Sequence, residues 1–312
     1  MARRYRRLRR DGIMRIVGLV DPAALGQSTW MVRVQCRPDG VRALADALAR
    51  RDDTAWVNLS AGGSEVVCSV RSRTRAERID LLTHRLPQTS PVLGIDAFAV
   101  LHRFPGSVLD DWTGFGDVLS AAQTQRFGRG GGRSDVDRPA TGVVRLDAAD
   151  DPMLEVLGRD GRAGHTALAT AAGWTPAQAA RRLSALLAAK AVYLDVDLAA
   201  EALGFGMQAG LWLTVAPGEL RAAGAALDAL PEVAFAAAIT GKHNLYAAVV
   251  CHDLDELYGF VADRVGAIRG VQTLEVSPVH RTVKQAGALT AGDRLAEPAP
   301  PPRRRAVRAA AG

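Results

Sequence analysis

The chain has 312 residues, 48% apolar and only 5% aromatic, enough for more than one core built on Ala, Val and Leu. No apolar run reaches the roughly 18 residues of a membrane span, and no apolar stretch follows the charged N-terminus, so neither a spanning helix nor a secretory leader is expected. The net charge of +6 favours a polyanionic partner, and the excess sits at the ends, in Arg3, Arg4, Arg6, Arg7, Arg9 and Arg10 and again in Arg303, Arg304, Arg305 and Arg308.

The chain opens on ARRYRRLRRDGIMRIVGLVDPAALG, which matches ARRLSALLAAKAVYLDVDLAAEALG at 180–204, with Gly26 on Gly204, Leu8 on Leu186 and Ile16 on Leu194. Met1 therefore falls in the middle of a helix. The match continues one residue out of step: Pro38 lies on Pro217, Trp56 on Phe235, Gly62 on Gly241 and Val92 on Val271. So long a register points to an internal duplication. Residues 1–26 are read as the remnant of one small helical domain and 27–104 as a first βαββαβ domain. Residues 105–148 are read as a linker, helical in part over Asp111–Phe127 and Gly-rich from Arg129 to Arg138.

The stretch 149–197 reads as three helices and a short ribbon. Asp151 and Pro152 start the first helix, whose apolar side is Met153, Leu154, Val156 and Leu157; Gly158 and Gly161 are expected to stop it. The second runs from about Thr166 to Ala172, and Gly173 turns the chain. Thr175 and Gln178 then form a capping-box pattern for a third helix. On that helix Ala179, Leu183, Leu186 and Leu187 recur with the spacing of a core-facing stripe, while Thr175, Gln178, Arg181 and Arg182 lie opposite. Val192–Val196 alternates and predicts a wing. A short helix, a glycine turn and a helix with an arginine-bearing outer face is the arrangement that seats a helix in a major groove.

The second βαββαβ domain, 198–285, reads as strand Leu211–Val215, helix Glu219–Leu230, strand Val233–Ile239, turn Thr240–Asn244, strand Leu245–Cys251, helix Leu254–Val265 and strand Val271–Val279. An open four-stranded sheet with helices on one face leaves the other uncovered, so these units are expected to pair, within or between chains. Residues 286–312, rich in Ala, Gly, Pro and Arg, are read as a disordered basic tail. Cys36, Cys68 and Cys251 lie in strand-like runs without metal spacing and read as buried thiols, which suits a reducing cytoplasm. His84, His102, His252 and His280 show no ligand spacing, and Gly130–Gly132 lacks the strand and helix of a phosphate loop. No metal, cofactor or catalytic residue is expected.

The order of these parts resembles the Lrp/AsnC (leucine-responsive and asparagine-regulator) family of transcription factors. The residues that carry the resemblance are Asp151-Pro152-Met153-Leu154 through Asp160-Gly161-Arg162, Leu168-Ala169 through Gly173-Trp174-Thr175, Arg181-Arg182-Leu183, and Thr240-Gly241. The resemblance implies an α+β fold, a winged helix-turn-helix plus two ferredoxin-like βαββαβ (RAM/AsnC-type) domains. It also implies a cytoplasmic, nucleoid-associated regulator that binds double-stranded DNA, oligomerises as a homodimer or larger, and senses an amino acid or another small molecule. The DNA-contact candidates are His165, Thr166, Thr175, Gln178, Arg181 and Arg182. Thr175 serves mainly the cap, Gln178 either the cap or DNA, and the helix start at His165–Thr166 either a cap or a phosphate. The effector candidates are Gly241, Lys242, His243, Asn244 and Tyr246; Lys242 and Asn244 stand where the family commonly has acidic residues. The corresponding turn of the first copy, Gly62-Gly63-Ser64-Glu65, differs again. The alternatives are an enzyme like the sirohaem decarboxylases, which share this layout and for which His243 and Lys242 would be the candidates, and an effector-binding module without DNA binding.

Overall fold

A computed structural model describes residues 2–72, 74–89, 91–104 and 143–296. Helix α1 (Ala2–Arg10) leads into β1 (Met14–Val20). The first unit follows as β2 (Ser28–Cys36), α2 (Val41–Ala49), β3 (Thr54–Ser60), β4 (Glu65–Ser72), α3 (Arg75–Ile79, continued by a π-helical turn over Asp80–Arg85) and β5 (Val92–Arg103). Three helices come next: α4 (Asp150–Arg159), α5 (His165–Ala172) and α6 (Pro176–Ala188), then β6 (Val192–Leu198). The second unit is β7 (Met207–Val215), α7 (Leu220–Asp228), β8 (Val233–Ile239), β9 (Leu245–Cys251), α8 (Leu254–Gly259, continued by a π-helical turn over Phe260–Val265) and β10 (Val271–Gln285). Paired elements of the two units start 179 residues apart: β2 and β7 at 28 and 207, α2 and α7 at 41 and 220, β3 and β8 at 54 and 233.

Each unit buries the helix-covered face of its sheet on its own helices. In the first, Val32, Val34 and Val66 meet Leu44, Leu48 and Leu81; in the second, Leu211, Leu213 and Ala247 meet Leu227, Leu257 and Phe260. Each such leucine, fully buried, is worth about 1.5–3 kcal/mol of transfer free energy. The other faces meet within the chain. Beta5 pairs with β8 and β10 with β3, all antiparallel, and β10 also pairs with β7. Eight strands thereby close into a ring, which leaves no free edge among them. Met31, Val67 and Phe98 from the first unit pack inside it on Trp212, Ile239 and Tyr246 from the second.

The predicted wing gains a partner that periodicity could not supply. Beta6 pairs antiparallel with β1, and Val17 lies opposite Asp195, 178 residues later, so the ribbon register is symmetric about that pair. Two buried ions lock it: Arg15 Nε and Nη2 donate to Asp197 Oδ2 at 2.9 and 2.7 Å, and Gln285 of β10 donates to Asp197 Oδ1. The ribbon is thus joined both to the helices and to the sheets. Helix α4 rests on β1, close enough that a Cβ on Gly18 would stand 2.8 Å from Leu157 Cβ. Gly18→Val is therefore expected to push α4 off the ribbon and cost about 1–3 kcal/mol, read as a lowered thermal midpoint. An unchanged midpoint would show that this contact yields freely.

Four expectations need correcting. Gly158 does not stop α4, which continues to Arg159. The helix starts at Asp150 rather than at Asp151, because Asp150 is the carboxylate drawn inside, accepting from Asp147 N at 2.8 Å. Residues 143–148 are not linker: Val144 and Leu146 pack on the three-helix core, and Val144 N donates to Ala24 O. Residues 286–296 are not tail either. The left-handed Ala286 and Gly287 reverse the chain so that β11 (Ala288–Ala291) pairs back on β10, β12 (Arg294–Leu295) pairs in turn on β11, and Leu295 N donates to Gly12 O. The expected helix over Asp111–Phe127, the Gly-rich stretch and residues 297–312 lie outside the described residues.

Candidate functional site

Helix α6 begins as its sequence requires. Thr175 Oγ1 accepts from Gln178 N at 3.3 Å and Gln178 Oε1 accepts from Thr175 N at 2.9 Å, so both side chains are engaged in the cap. Gly173 makes the preceding turn at φ +73, the left-handed region that disfavours a Cβ. The inner stripe is Ala179, Leu183 and Leu186; Leu187, predicted to join it, is 38% exposed, because the stripe is narrower than a strict i+8 recurrence suggests. His165 and Thr166 are exposed at the start of α5, whose N-terminal Gly164 offers no side-chain cap.

Of the two adjacent arginines, only Arg181 points into solvent. Arg182 turns back and clamps Asp150, with Nε on Oδ1 at 2.8 Å and Nη2 on Oδ2 at 2.6 Å, and it also donates to Arg145 O. Asp150 is fully buried, and Arg182 first, then the Asp147 N–H, hold its carboxyl below the ordinary range against the opposing effect of burial. Arg182 therefore ties α6 to the start of α4, a different task from the one its place on the helix suggested. A second basic surface lies on α1, where Arg3, Arg4 and Arg7 are exposed. That helix is held by Arg9 on Asp160 and by Arg162 over the Tyr5 ring at 4.6 Å.

The predicted effector turn joins β8 to β9 and is stitched to β5: Thr240 N donates to Ala99 O, and Ala99 N to Thr240 Oγ1. Gly241 sits at φ +103, and a Cβ there would stand 2.7 Å from the Phe98 ring, so both backbone and space call for glycine. The other four residues diverge. Lys242 is exposed and 3.5 Å from Asp96. His243 is nearly enclosed, its Nε2 3.4 Å from Glu275, and burial lowers its pKa. Asn244 is fully occupied, accepting from Val215 N at 2.8 Å and donating to Val215 O at 2.7 Å. Tyr246 is buried against Trp212, ring centroids 4.6 Å apart. Asn244 and Tyr246 thus brace strands, and only Lys242 and His243 present polar atoms near the surface.

Sequence reasoning passed over the charged cluster beside this turn. Arg33 of β2 donates to both oxygens of Glu65 (2.9 and 3.1 Å) and both of Glu275 (3.2 and 2.6 Å), and lies 4.6 Å from the Trp212 ring centroid. The signal was an arginine interrupting the apolar run MVRVQC. Glu65 closes the Gly62-Gly63-Ser64-Glu65 turn, so the two turns end differently: one on an ion pair, the other on an amide gripping backbone.

Residues 208–289 match the Lrp/AsnC ligand binding domain family. An uncharacterised helix-turn-helix-type transcriptional regulator of Pyrococcus abyssi is 26% identical over 135 residues, covering 43% of this chain and 85% of its own length. Its counterpart in Pyrococcus horikoshii is 24% identical over 140 residues, 45% of this chain and 89% of its own. Among solved structures, the sirohaem decarboxylase NirDL, in co-complex with an iron-uroporphyrin III analogue, shares the fold over 91% of this chain and 81% of its own, with a TM-score of 0.60 and 11% identity. At that identity the likeness is one of fold alone, and a fold of this kind hosts unlike activities.

Proposed function

From the match of residues 208–289 to the Lrp/AsnC ligand binding domain family we propose that this chain is a sequence-specific DNA-binding transcriptional regulator that oligomerises and senses a small molecule through its βαββαβ domains. In this reading 149–197 is a winged helix-turn-helix, 27–104 and 198–285 are the two sensing and assembly domains, and 1–26 completes the ribbon of the head. The observation that carries it is the outer face of α6: a capped helix after a left-handed glycine turn, with Arg181 directed outward and Arg182 anchoring the helix from behind. The relatives named as transcriptional regulators support it.

Helix α1 adds a second basic contact. It precedes one end of the ribbon and α6 the other, and strands of seven residues span about 24 Å. That separation suits arginines gripping phosphates within about one 34 Å turn of the groove that α6 enters. A palindromic operator requires two heads, which a homodimer would supply. The open sheet faces are already spent within one chain, so assembly falls to outer surfaces such as Leu254 and Tyr258, one helical turn apart and 63% and 75% exposed.

A mobility shift over a salt series on the promoter of the neighbouring gene tests the reading. Arg181→Ala is expected to weaken binding about tenfold and reduce the salt slope by about one ion if it contacts phosphate. Undiminished binding across salt would remove α6 from the interface. The fold shared with a sirohaem decarboxylase sustains one rival, for which His243 and Lys242 were the candidates. Those side chains pair with Glu275 and Asp96. A Soret band on adding haem, with no shift of DNA, would favour the enzyme.

A further inference from the structure

We propose that the cleft between the two sheets binds a small apolar carboxylic acid that also carries a hydrogen-bond donor, held between a polar wall from the first unit and an apolar wall from the second. The cavity measures about 260 Å³ and is bounded by both sheets and by the β1–β6 ribbon. Strand register places Trp56, Asn58, Ser69 and Arg71 on one face, with Trp56 opposite Ser69, Asn58 opposite Val67 and Thr29 opposite Arg71. On that wall Asn58 Oδ1, Ser69 Oγ and Arg71 Nε are buried and have no hydrogen-bond partner among the described residues. A buried polar atom without a partner is costly, so three beside one cavity are a set awaiting a partner.

The opposite wall shares the same strand plan but not the chemistry. The residues 179 positions after Asn58, Ser69 and Arg71 are Ala237, Ala248 and Val250, of which Ala248 and Val250 line the space, and Phe235 holds Trp56's place in the pattern. Polarity is therefore one-sided. A guanidinium N–H and a hydroxyl fit the two oxygens of a carboxylate, and the Asn58 carbonyl fits an O–H or N–H on the same molecule. The remainder would lie on Phe235, Tyr246 and Ala248. A volume near the lower limit of small-molecule sites restricts the ligand to a few carbons.

The position also supplies a route to the head. Arg71 Nη1 reaches Val20 O of β1 at 3.5 Å, and Tyr193 and Asp195 of β6 line the same space. Asp195 accepts from Val196 N, while Arg103, also at the cavity, is bound to Thr29 and lies 3.9 Å from Asp21. An acid that engages Arg71 draws on the residue touching the ribbon, and the ribbon carries the three helices.

This inference deepens the sensing part of the proposed function and places it apart from the Gly241 turn. Its test uses the full chain without DNA, so that it fails or stands independently of DNA binding. Calorimetric titration with 2-hydroxy-4-methylpentanoate should give saturable binding at millimolar concentration, and 4-methylpentan-1-amine should give none. Ser69→Ala should weaken the acid about fivefold to tenfold. Ala248→Leu, which fills the cavity from the apolar wall, should abolish binding while the thermal midpoint holds. Binding of the amine as tight as that of the acid, no saturable heat with the acid, or full affinity in a folded Ala248→Leu protein would each overturn the proposal. A retained DNA shift beside any of those results would leave the regulator reading in place.

Discussion

Arg33→Met lowers the unfolding free energy of the chain by about 3 kcal/mol, read as a shifted midpoint in urea denaturation at unchanged slope. The magnitude follows from what the guanidinium leaves behind. Glu65 is 4% exposed and receives two of its hydrogen bonds; without them it is an unpaired buried carboxylate, the situation that costs about 3–5 kcal/mol in other proteins. Glu275 is 43% exposed, so water replaces much of what Arg33 gave it, and that half of the cluster adds at most about 1 kcal/mol. Contact with the Trp212 ring contributes on the same small scale. The site spans both units, so the loss falls on their mutual packing. Arg33→Met with Glu65→Gln should recover most of it, because a neutral amide does not demand a cation. A single variant as stable as wild type would mean that water already reaches Glu65.

The same cluster sets a dependence on acid. The Arg33 guanidinium holds the Glu275 carboxyl below the usual carboxylate range, against the opposing effect of burial. A carboxyl depressed in the folded state stabilises above its unfolded pKa, about 4.3, and the contribution disappears as pH falls through the lower folded value. Arg33→Met should flatten that part of the stability profile below about pH 4.5.

Local features of this fold were legible in the sequence, and distant ones were not. The Thr175–Gln178 cap, the strands Val233–Ile239 and Leu245–Cys251 and the 179-residue spacing all rest on neighbours within a few positions or on a repeated pattern, and the structure shows each as expected. Pairing of β1 with β6 joins residues 182 apart at Arg15 and Asp197, and nothing local marks either as the other's partner. The hairpin after Gln285 was read as tail because Ala and Gly are common in both; its stability comes from contact with Gly12, far away in sequence. Candidate site residues failed for a related reason. Helix periodicity assigns a side to Arg182 but not a rotamer, and a buried carboxylate on another helix outbids solvent for it. Asn244 matched a ligand turn by position, yet the backbone of β7 takes both ends of its amide.

The contrast between Arg181 and Arg182 gives the sharpest separation of structure from function in the head. Arg182→Ala is expected to destabilise the three helices by about 3 kcal/mol, the lower part of the range for breaking a buried pair, since the Arg182 side chain is itself 29% exposed. Asp150 would keep one donor, the Asp147 N–H, and would lose its cation while fully buried. Without its cation the Asp150 carboxyl would rise toward or above the unfolded value, about 3.9, so the variant, less stable at neutral pH, should lose less further stability than wild type as pH falls through that region; in wild type the Asp150 contribution is fully present above the unfolded value and falls away as pH drops through the lower folded one. Arg181→Ala should do neither, because its guanidinium stands in solvent; its effect belongs to DNA affinity alone. Thermal melts across pH and mobility shifts on the same two proteins therefore cross. If Arg182→Ala melts like wild type but no longer shifts DNA, the Asp150 clamp opens on the duplex and Arg182 is a contact residue after all. If Arg181→Ala lowers the midpoint, its outward placement is wrong. The crossed result would assign adjacent arginines of one helix to opposite faces of the same task, one holding the helix in place and the other meeting the DNA.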